Sequence, residues 1–351
     1  MTASESSLRR AIKRDLVVIG ASAGGVETLK RVVERLPPDL PAAVCIVLHI
    51  APDTPSLLAQ ILSRSGALPC HAARGAERLR RGAILVASPD RHLVVEDEHV
   101  YLSVGPRENG HRPAVDVLFR SAAAAQGARV IGVILSGRRG DGAVGLAAVK
   151  AAGGATIVQD PRDALYPGMP SIALAHVAPD AVVPSERVAD TIVAMINGDD
   201  PPPGAKTSPP DASGGVHGEG ETTICPECGG VLTERHEAGT MLWQCRVGHR
   251  YSPESLLDVQ AMDVEAAMWA GVRALEDRSR LLKRMAEQFE PQGRSRSARS
   301  FRDKAHDAAE QARAVREVLM RAGTVSLTRD EPGDLEPEEI EIRRASSGGA
   351  P

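Results

Sequence analysis

The stretch LVVIGASAGGVETLKRVVERL, residues 16–36, decides how the N-terminal half of the chain folds. Its first residues are apolar and β-branched and predict a buried strand, and its later residues have the apolar spacing of a helix. A glycine-rich turn between them places Ser22 at a strand-to-helix corner. A serine at such a corner can hold a phosphate, cap the helix or attack a substrate, and the rest of the sequence has to distinguish these roles.

The composition narrows the classes of function. With 351 residues the chain is long enough for more than one domain, and its formal net charge of -4 predicts no strong attraction to nucleic acid or anionic membranes. Three Phe, three Tyr and two Trp are too few for a protein that stacks on bases or sugars. The N-terminus lacks the apolar core of a signal peptide, and no apolar run reaches the ~18 residues of a spanning helix. We therefore expect a cytosolic protein without nucleic acid partners or membrane insertion.

The region 15–196 alternates short apolar runs with helical patterns such as 25–36 and 142–152. The apolar runs of strand length are residues 16–20, 43–50, 82–89, 130–137 and 154–160. Near-continuous apolar strands indicate burial on both faces, which predicts an α/β fold with a doubly wound, mostly parallel sheet and helices on both sides. Residues 92–104 differ, because their alternation around an acidic turn predicts a β-hairpin.

The composition changes beyond residue 196. Residues 197–223 are dominated by Pro, Gly, Ser and charge and predict a flexible linker, and a cysteine-containing segment follows. Two helical patterns come next, and each has an apolar stripe that suits an antiparallel hairpin. The stripe of the first is Val259, Met262, Ala266, Trp269 and Val272, and that of the second is Phe301, Ala305, Ala308, Ala312, Val315 and Leu319. The predicted organisation is a disordered tail 1–14, a catalytic domain 15–196, the linker 197–223, a zinc-ribbon-like module 224–253, a helical hairpin 254–322 and a disordered acidic tail 323–351.

Three reactive side chains fall just past the carboxyl ends of predicted strands. Ser22 follows the first strand, His49 closes the second, and Asp141 comes shortly after the run 130–137. The carboxyl ends of parallel strands share one edge of the sheet, where ligands bind. A serine, a histidine and an acid at one edge are the set that activates a nucleophile, since the imidazole takes the hydroxyl proton and the carboxylate orients the imidazole.

The turn around Ser22 fits a nucleophile. Residues 20–24 satisfy the G-x-S-x-G spacing of a nucleophile elbow, and the free N–H groups of Ala23 and Gly24 at the helix start are candidate donors to an oxyanion. Other readings remain open, because Ser22 can be a helix cap or a phosphate cradle, His49 a structural histidine, and Asp141 part of a turn. The order Ser, His, Asp also differs from that of α/β-hydrolases. The absence of a G-x-G-x-x-G motif and of a P-loop lysine argues against nucleotide binding.

Five motifs that follow one another along the chain resemble the catalytic domain of chemotaxis protein-glutamate methylesterases (CheB-type). They are IGASAGGVETL, VLHI, HRPAVDVLFRSAA, DGAVGL and ALYPGMP. The resemblance covers residues 15–196. It implies a serine esterase that hydrolyses glutamate γ-methyl esters on chemoreceptor helices, releases methanol, also deamidates particular receptor glutamines, and needs no cofactor for catalysis. The catalytic serine, histidine and aspartate of the family fall on Ser22, His49 and Asp141.

The sequence departs from the family pattern in three places. Only a short segment precedes the first strand where the family usually carries a receiver domain, so we expect no phosphorylation in cis and a separate response regulator as a partner. Arg138 stands where methionine is usual, and its backbone N–H is a further oxyanion candidate. Arg139 stands where glycine is common, and we expect the two cations to favour acidic receptor segments. Ala23 replaces a frequent threonine.

The spacing Cys225-x2-Cys228-x16-Cys245-x3-His249 predicts a zinc site. Four ligands leave no open position, which favours a structural site over a catalytic one. Chance spacing and a redox pair are the alternatives, and His236 is a poorer alternative ligand. We expect that removal of the metal unfolds this module and leaves the esterase domain folded.

Two other functions stay open at this point. The first is a signalling adaptor without activity, in which the zinc module and the helices bind partners. The second is a regulator of non-chemotactic signalling that acts on another protein ester or amide. The intact set of Ser22, His49 and Asp141 argues against the adaptor, whereas Arg138 and Arg139 argue slightly for it.

Overall fold

The computed structural model describes residues 13–50, 56–199 and 223–328, with side chains up to residue 321. Nearly all of the predicted N-terminal tail, most of the predicted linker and most of the predicted acidic tail lie outside these residues. The chain forms two compact units, divided between Gln260 and Ala261. The cysteine-containing segment therefore belongs to the same unit as the predicted catalytic domain, and the boundary falls within a long helix.

A seven-stranded sheet forms the centre of the first unit. Its strands are β1 (Leu16–Ala21), β2 (Ala43–Leu48), β3 (Cys70–Ala72), β5 (Ala83–Val86), β8 (Val130–Ile134), β9 (Ala155–Gln159) and β10 (Ala181–Val183). They lie in the order β10-β9-β8-β1-β2-β5-β3, and every neighbouring pair is parallel. Each of the five predicted apolar runs coincides with one of these strands to within one residue or contains it, which confirms the predicted fold class.

Helices cover both faces of the sheet. They are α1 (Gly25–Arg35), α2 (Leu58–Ser65), α3 (Val115–Gln126), α4 (Ala143–Ala151), α5 (Gly168–His176) and α6 (Ser185–Asn197), with a short 3-10 turn at Gly127–Arg129. Side chains of β1 alternate between two cores: Val17 and Ile19 pack with α1, α2 and α6, whereas Leu16 and Val18 pack with α3, α4 and α5. This alternation makes β1 the buried central strand of a doubly wound fold.

The remaining strands form two small antiparallel sheets. The first contains β4 (Glu77–Arg78), β6 (His92–Glu96) and β7 (His99–Ser103), and its β6–β7 pair confirms the predicted hairpin. The second contains β11 (Leu232–Glu237), β12 (Thr240–Cys245) and β13 (Arg250–Tyr251) and lies within the cysteine-containing segment. None of the described helices combines the length and the apolar character needed to cross a membrane.

Two long helices follow, α7 (Pro253–Phe289) and α8 (Ser295–Thr328), and α8 continues past residue 322, the predicted end of the hairpin. Within the second unit they run antiparallel, and the Ser279 hydroxyl donates to the Ala305 carbonyl over 2.8 Å. The predicted stripe on α7 is wrong at Met262 and Ala266, which are exposed. Among the described side chains of this unit, burial on α7 begins further along, at Val272.

The topology gathers the ends of three strands. From β1 the chain moves to β2 on one side and later to β8 on the other, so the carboxyl ends of β2, β1 and β8 are adjacent. The segments after them carry His49, Ser22 and Asp141. Helices α3 and α4, which begin near this edge, pack closely: a Cβ added at Gly145 of α4 would lie 2.6 Å from the Phe119 Cβ and 3.0 Å from the Asp116 Cα.

We predict that Gly145→Ala lowers the free energy of unfolding by about 1–3 kcal/mol, because the added methyl group forces two buried helices apart. Chemical denaturation followed by circular dichroism measures this change. Gly271→Ala on α7 is the matched control, since a Cβ there meets nothing within 4 Å. Removing a helical glycine at such an open site should stabilise the second unit by about 0.5–1 kcal/mol. Equal effects of the two substitutions would contradict this description of the α3–α4 contact.

Candidate active site

Ser22 lies in the tight turn between β1 and α1. Its N–H donates to the Ser136 carbonyl over 2.9 Å, and its own carbonyl accepts from the Gly25 N–H over 2.9 Å. The turn depends on Gly24, which has a φ of 70°, a left-handed conformation that a residue with a side chain adopts only with strain. The Ser22 side chain is partly exposed, and its hydroxyl has no hydrogen-bond partner among the described residues. The hydroxyl is therefore available to a substrate or to a base.

His49 follows the last residue of β2, and its N–H donates to the Ala21 carbonyl over 3.2 Å, which holds it beside the serine turn. Its side chain is 6% exposed, and Nε2 lies 2.7 Å from Oδ2 of Asp141. A carboxylate can only accept here, so Nε2 carries the proton and Nδ1 keeps a lone pair. Nδ1 is buried and has no partner in the part of the chain that the structure describes. The imidazole thus has an unused basic nitrogen.

The His49 ring stacks on His111, with centroids 3.7 Å apart and planes inclined by 13°. Burial lowers the pKa of His111 to about 3, and the neighbouring His49 ring adds to the effect. A protonated His111 would place a second positive charge against His49. Because it stays neutral at physiological pH, His111 covers one face of the imidazole without opposing its protonation.

The Asp141 carboxylate is held in the site by hydrogen bonds from its neighbours. Its fully buried carboxylate accepts hydrogen bonds from four donors: His49 Nε2 (2.7 Å), the Val115 N–H (2.6 Å), the Asp116 N–H (3.1 Å) and Asn109 Nδ2 (2.9 Å). The two N–H groups form the first turn of α3, whose dipole favours a negative charge. Burial alone would raise the pKa of Asp141, but the hydrogen bond and charge of His49, with those of its other neighbours, hold it well below its usual value.

A second buried carboxyl group, that of Asp116, lies beside Asp141. It accepts from the N–H groups of Gly142 (3.0 Å) and Gly145 (2.6 Å) at the start of α4. Burial and the negative charge of Asp141 raise the pKa of Asp116 well above its usual value. Ionisation is therefore favoured at Asp141, the carboxylate that faces His49. Each acid caps the helix that is associated with the other, so α3 and α4 fix both groups.

The candidate oxyanion donors lie near Ser22. The backbone N–H groups of Ala23, Gly24 and Arg138 have no acceptor within the described residues. The Arg138 backbone is held by the loop before α5: the Gly137 N–H donates to the Tyr166 carbonyl, and a Cβ at Gly168 would lie 2.2 Å from the Arg138 carbonyl oxygen.

The two arginines of this loop differ in exposure. The guanidinium of the exposed Arg138 lies 4.5 Å over the Tyr166 ring, whereas Arg139 is partly buried. The structure thus contains the predicted site residues and joins His49 to Asp141. Their catalytic roles, and those of the oxyanion candidates, stay predictions.

Sequence reasoning missed three residues of this site, Asn109, His111 and Asp116. The Asn109-Gly110 dipeptide was an available signal, because this pair favours two-residue turns with positive φ. The structure has φ values of 52° and 75° there, and Glu108 and His111 exchange backbone hydrogen bonds across the turn. Asp116 carried a weaker signal, since it is an acid three residues after a proline, and the structure places it in the first turn of α3. The approach of these side chains to Asp141 depends on tertiary packing.

The predicted metal ligands also come together. The side-chain donor atoms of Cys225, Cys228, Cys245 and His249 lie within 4.8 Å of one another and could bind a metal ion. The sulfurs of Cys228 and Cys245 are 3.6 Å apart, far more than the ~2.05 Å of a disulfide, and His249 Nδ1 lies 3.4 Å from the Cys245 sulfur. His236, the alternative ligand, is 63% exposed on β11 and is not part of the group.

The fold and this edge define an α/β protein with a doubly wound parallel sheet and a serine, a histidine and an aspartate at its carboxyl edge. The family model described as CheB methylesterase matches residues 17–192, half of the chain, and the chain belongs to that family. A solved structure, the CheB methylesterase catalytic domain of Thermotoga maritima, is 30% identical, covers 52% of this chain and 100% of its own, and has a TM-score of 0.50.

Curated relatives share the name protein-glutamate methylesterase/protein-glutamine glutaminase. The protein from Symbiobacterium thermophilum is 39% identical over 186 residues, which are 53% of this chain and 51% of that protein. Protein 2 of this name from Anaeromyxobacter dehalogenans is 41% identical over 179 residues, 51% of this chain and 52% of the relative. Protein 2 from Methanosarcina acetivorans is 36% identical over 197 residues, 54% and 55% of the two chains. The chain thus spans about half the length of the curated relatives it matches.

We predict that replacing His111 changes the acid sensitivity of the fold. The pKa of His111 is about 3 in the folded chain, against about 6.5 for an exposed histidine. Between these values the unfolded chain binds a proton that the folded chain does not, so this group lowers the free energy of unfolding as the pH falls. His111→Phe keeps a ring against His49 but cannot titrate. Below pH ~6 the variant should gain stability over the parent by up to about 1.4 kcal/mol per pH unit.

Denaturant unfolding at a series of pH values measures this difference. His99→Phe, at an exposed histidine on β7, is the matched control and should leave the pH dependence of the parent unchanged. If His111→Phe and the parent kept parallel pH profiles, His111 would not be held neutral by its surroundings.

Proposed function

We propose that the chain is a serine esterase that hydrolyses glutamate γ-methyl esters on chemoreceptors and releases methanol. The observation that carries the proposal is the His49–Asp141 pair at the carboxyl edge, with Ser22 on the adjacent strand end and a basic imidazole nitrogen left without a partner. Membership of the CheB methylesterase family supports it. The relatives' names extend the proposal to deamidation of receptor glutamines in the same site.

The proposed reaction uses this chain's own groups. Ser22 Oγ attacks the ester carbonyl while His49 Nδ1 takes the hydroxyl proton, and Asp141 stabilises the imidazolium through Nε2. The free N–H groups of Ala23, Gly24 and Arg138 stabilise the oxyanion of the tetrahedral intermediate. Collapse breaks the bond to the methoxy group, which leaves as methanol with the proton from His49. Water then attacks the acyl-serine by the reverse path and gives the glutamate carboxylate; with a glutamine side chain, ammonia is the leaving group.

The partners follow from the position of the site. The partly exposed Ser22 on a sheet edge suits a small ester on the surface of a receptor helix, so methylated cytoplasmic receptor helices are the proposed substrate. The exposed guanidinium of Arg138 is placed to favour acidic segments beside the ester.

We further propose that the protein acts in the cytoplasm, whose reducing conditions keep its thiols free, and that a separate response regulator controls it.

We predict that Ser22→Ala abolishes methanol release from methyl-labelled receptor cytoplasmic fragments, because it removes the nucleophile. Asp141→Asn should lower kcat by about 10⁴-fold, since the amide favours the wrong imidazole tautomer. Release of labelled methanol, measured over time, gives both rates. Ser63→Ala, at an exposed serine on α2, is the serine-to-alanine control and should keep the parental rates. Parental activity in Ser22→Ala, or none in the parent protein, would contradict the proposal.

We propose that the four clustered ligands bind a structural Zn²⁺ ion. A tetrahedral site with Zn–S bonds of ~2.3 Å has ligand atoms ~3.5–3.8 Å apart, close to the separations of 3.4 Å and 3.6 Å between donor atoms here. Three thiolates and an imidazole suit zinc and leave no open coordination position. When bound, the ion would cross-link the turns around β11–β13, where the buried core is small: Cys225, Leu232, Cys245, Tyr251 and Leu256.

We predict that the purified protein holds about one zinc ion per chain, measured by elemental analysis after exhaustive dialysis. Cys228→Ser should reduce this content strongly, because it removes one of four ligands. Cys70→Ser on β3 is the matched control and should keep the full content, since Cys70 is not in the cluster. Equal zinc contents in the two variants would show that the cluster does not hold the metal.

A further inference from the structure

Asn109 connects two parts of the first unit that the sequence suggested were independent. It lies at the tip of the Glu108–His111 turn, is 2% exposed, and adopts the positive φ of 52°. Its side-chain nitrogen donates to Asp141 Oδ1 over 2.9 Å and to Asp116 Oδ2 over 2.8 Å. Both hydrogens of the amide are therefore used on the two buried carboxyl groups.

The other polar atoms of Asn109 face the cysteine-containing segment. Its N–H donates to the Arg250 carbonyl over 2.7 Å, and its Oδ1 accepts from the Ser252 N–H over 2.9 Å. Arg250 directly follows the candidate ligand His249. Ser252 caps α7, because its hydroxyl accepts from the Ser255 N–H over 3.2 Å. The candidate metal ligand His249 is thus the residue directly before Arg250, whose carbonyl oxygen holds Asn109.

We propose that Asn109 is a positioning residue through which the metal-binding module holds the Asp141 carboxylate in place. The inference rests on the proposed function, in which Asp141 orients His49. Two atoms of the module hold Asn109: the Arg250 carbonyl oxygen accepts from its backbone N–H, and the Ser252 N–H donates to Oδ1 and so fixes the rotation of the side-chain amide. Among the described residues, the side-chain amide supplies one of two hydrogen bonds to Asp141 Oδ1, and the Asp116 N–H supplies the other. The fully buried carboxylate cannot replace a lost donor by water without rearrangement.

Removal of the metal should therefore disturb the position of the Asp141 carboxylate. When the loop that carries His249 is released, Arg250 no longer holds the Asn109 backbone and Ser252 no longer holds its side-chain amide, so the Asp141 carboxylate can rotate away from His49 Nε2. A small displacement of a catalytic group lowers the rate of the chemical step more than it lowers binding. This differs from the expectation that the esterase domain works independently of its zinc module.

The first test is Asn109→Gly. Glycine accepts the positive φ at this position without strain, so the turn is retained while the amide is lost. We expect kcat on methylated receptor fragments to fall by about 10-fold to 100-fold with KM nearly unchanged. Asn197→Gly is the matched control: it makes the same substitution in the first unit, at an exposed asparagine that ends α6, and should keep the parental kcat. Parental kcat in Asn109→Gly would overturn the proposal.

The second test follows the His49 Nε2–H proton by NMR in ¹⁵N-histidine-labelled full-length protein, before and after zinc is removed by a chelator. In the parent we expect zinc removal to shift or broaden this resonance and to lower kcat. In Asn109→Gly the resonance should already be altered, and zinc removal should add little to the loss of kcat. An unchanged His49 resonance in zinc-free parent protein would overturn the proposal.

The two readouts separate this inference from the proposed function. If receptor esters are not hydrolysed, the proposed function fails, and the NMR experiment still decides whether the module positions Asp141 against His49. If the parent hydrolyses esters and Ser22→Ala does not, the proposed function holds. Equal losses of kcat on zinc removal in the parent and in Asn109→Gly would then show that Asn109 does not transmit the effect.

Discussion

The hydrogen bonds that converge on the Asp141 carboxylate are the interaction on which the rest of the site depends. A buried negative charge is costly unless it is paired and fully hydrogen-bonded. Here one backbone turn of α3, one amide and one imidazole satisfy it together. Since these donors come from three separate segments, the charge can be buried only when α3, the Asn109 turn and the end of β2 are all in place. The same contacts fix which nitrogen of His49 carries a proton.

The doubly wound sheet explains how distant segments meet at this carboxylate. Its switch in direction at β1 places the ends of β2 and β8 on either side of the serine turn. Small residues then permit the close approach of backbone and helices: Gly24 allows the left-handed turn, Gly145 the α3–α4 contact, and Gly168 the contact with the Arg138 loop. The family match over residues 17–192 covers these segments, so the arrangement belongs to the shared domain.

The sequence was sufficient to predict the parallel sheet and the positions of Ser22, His49 and Asp141 at strand ends, because those predictions need only apolar patterning and the rule that parallel strands end at one edge. It was not sufficient for His111 or Asp116, whose roles depend on stacking and helix packing across the fold. The α7 stripe was wrong at Met262 because periodicity indicates an apolar face without saying where a partner helix begins.

The contacts of Asn109 could not be predicted for the same kind of reason. Its turn was readable from the Asn-Gly pair, but the pairing of that turn with β13, far along the chain and beyond the linker region, is a tertiary contact. The cysteine motif indicated a metal site and gave no sign that the segment after His249 would pack against Asn109, whose side chain also donates to Asp141. Sequence motifs therefore predicted the residues of both candidate sites, and the structure supplied the connection between them.

The convergence of Ser22, His49 and Asp141 is tested most directly by a crystal structure of the protein after reaction with a small phosphonate ester. The account predicts a covalent bond from phosphorus to Ser22 Oγ, with His49 Nδ1 within about 3.2 Å of that oxygen or the adjacent phosphonate oxygen. It also predicts that another phosphonate oxygen faces the N–H groups of the serine turn or Arg138. An adduct on a different residue, or a His49 whose Nδ1 points away from Ser22, would contradict it.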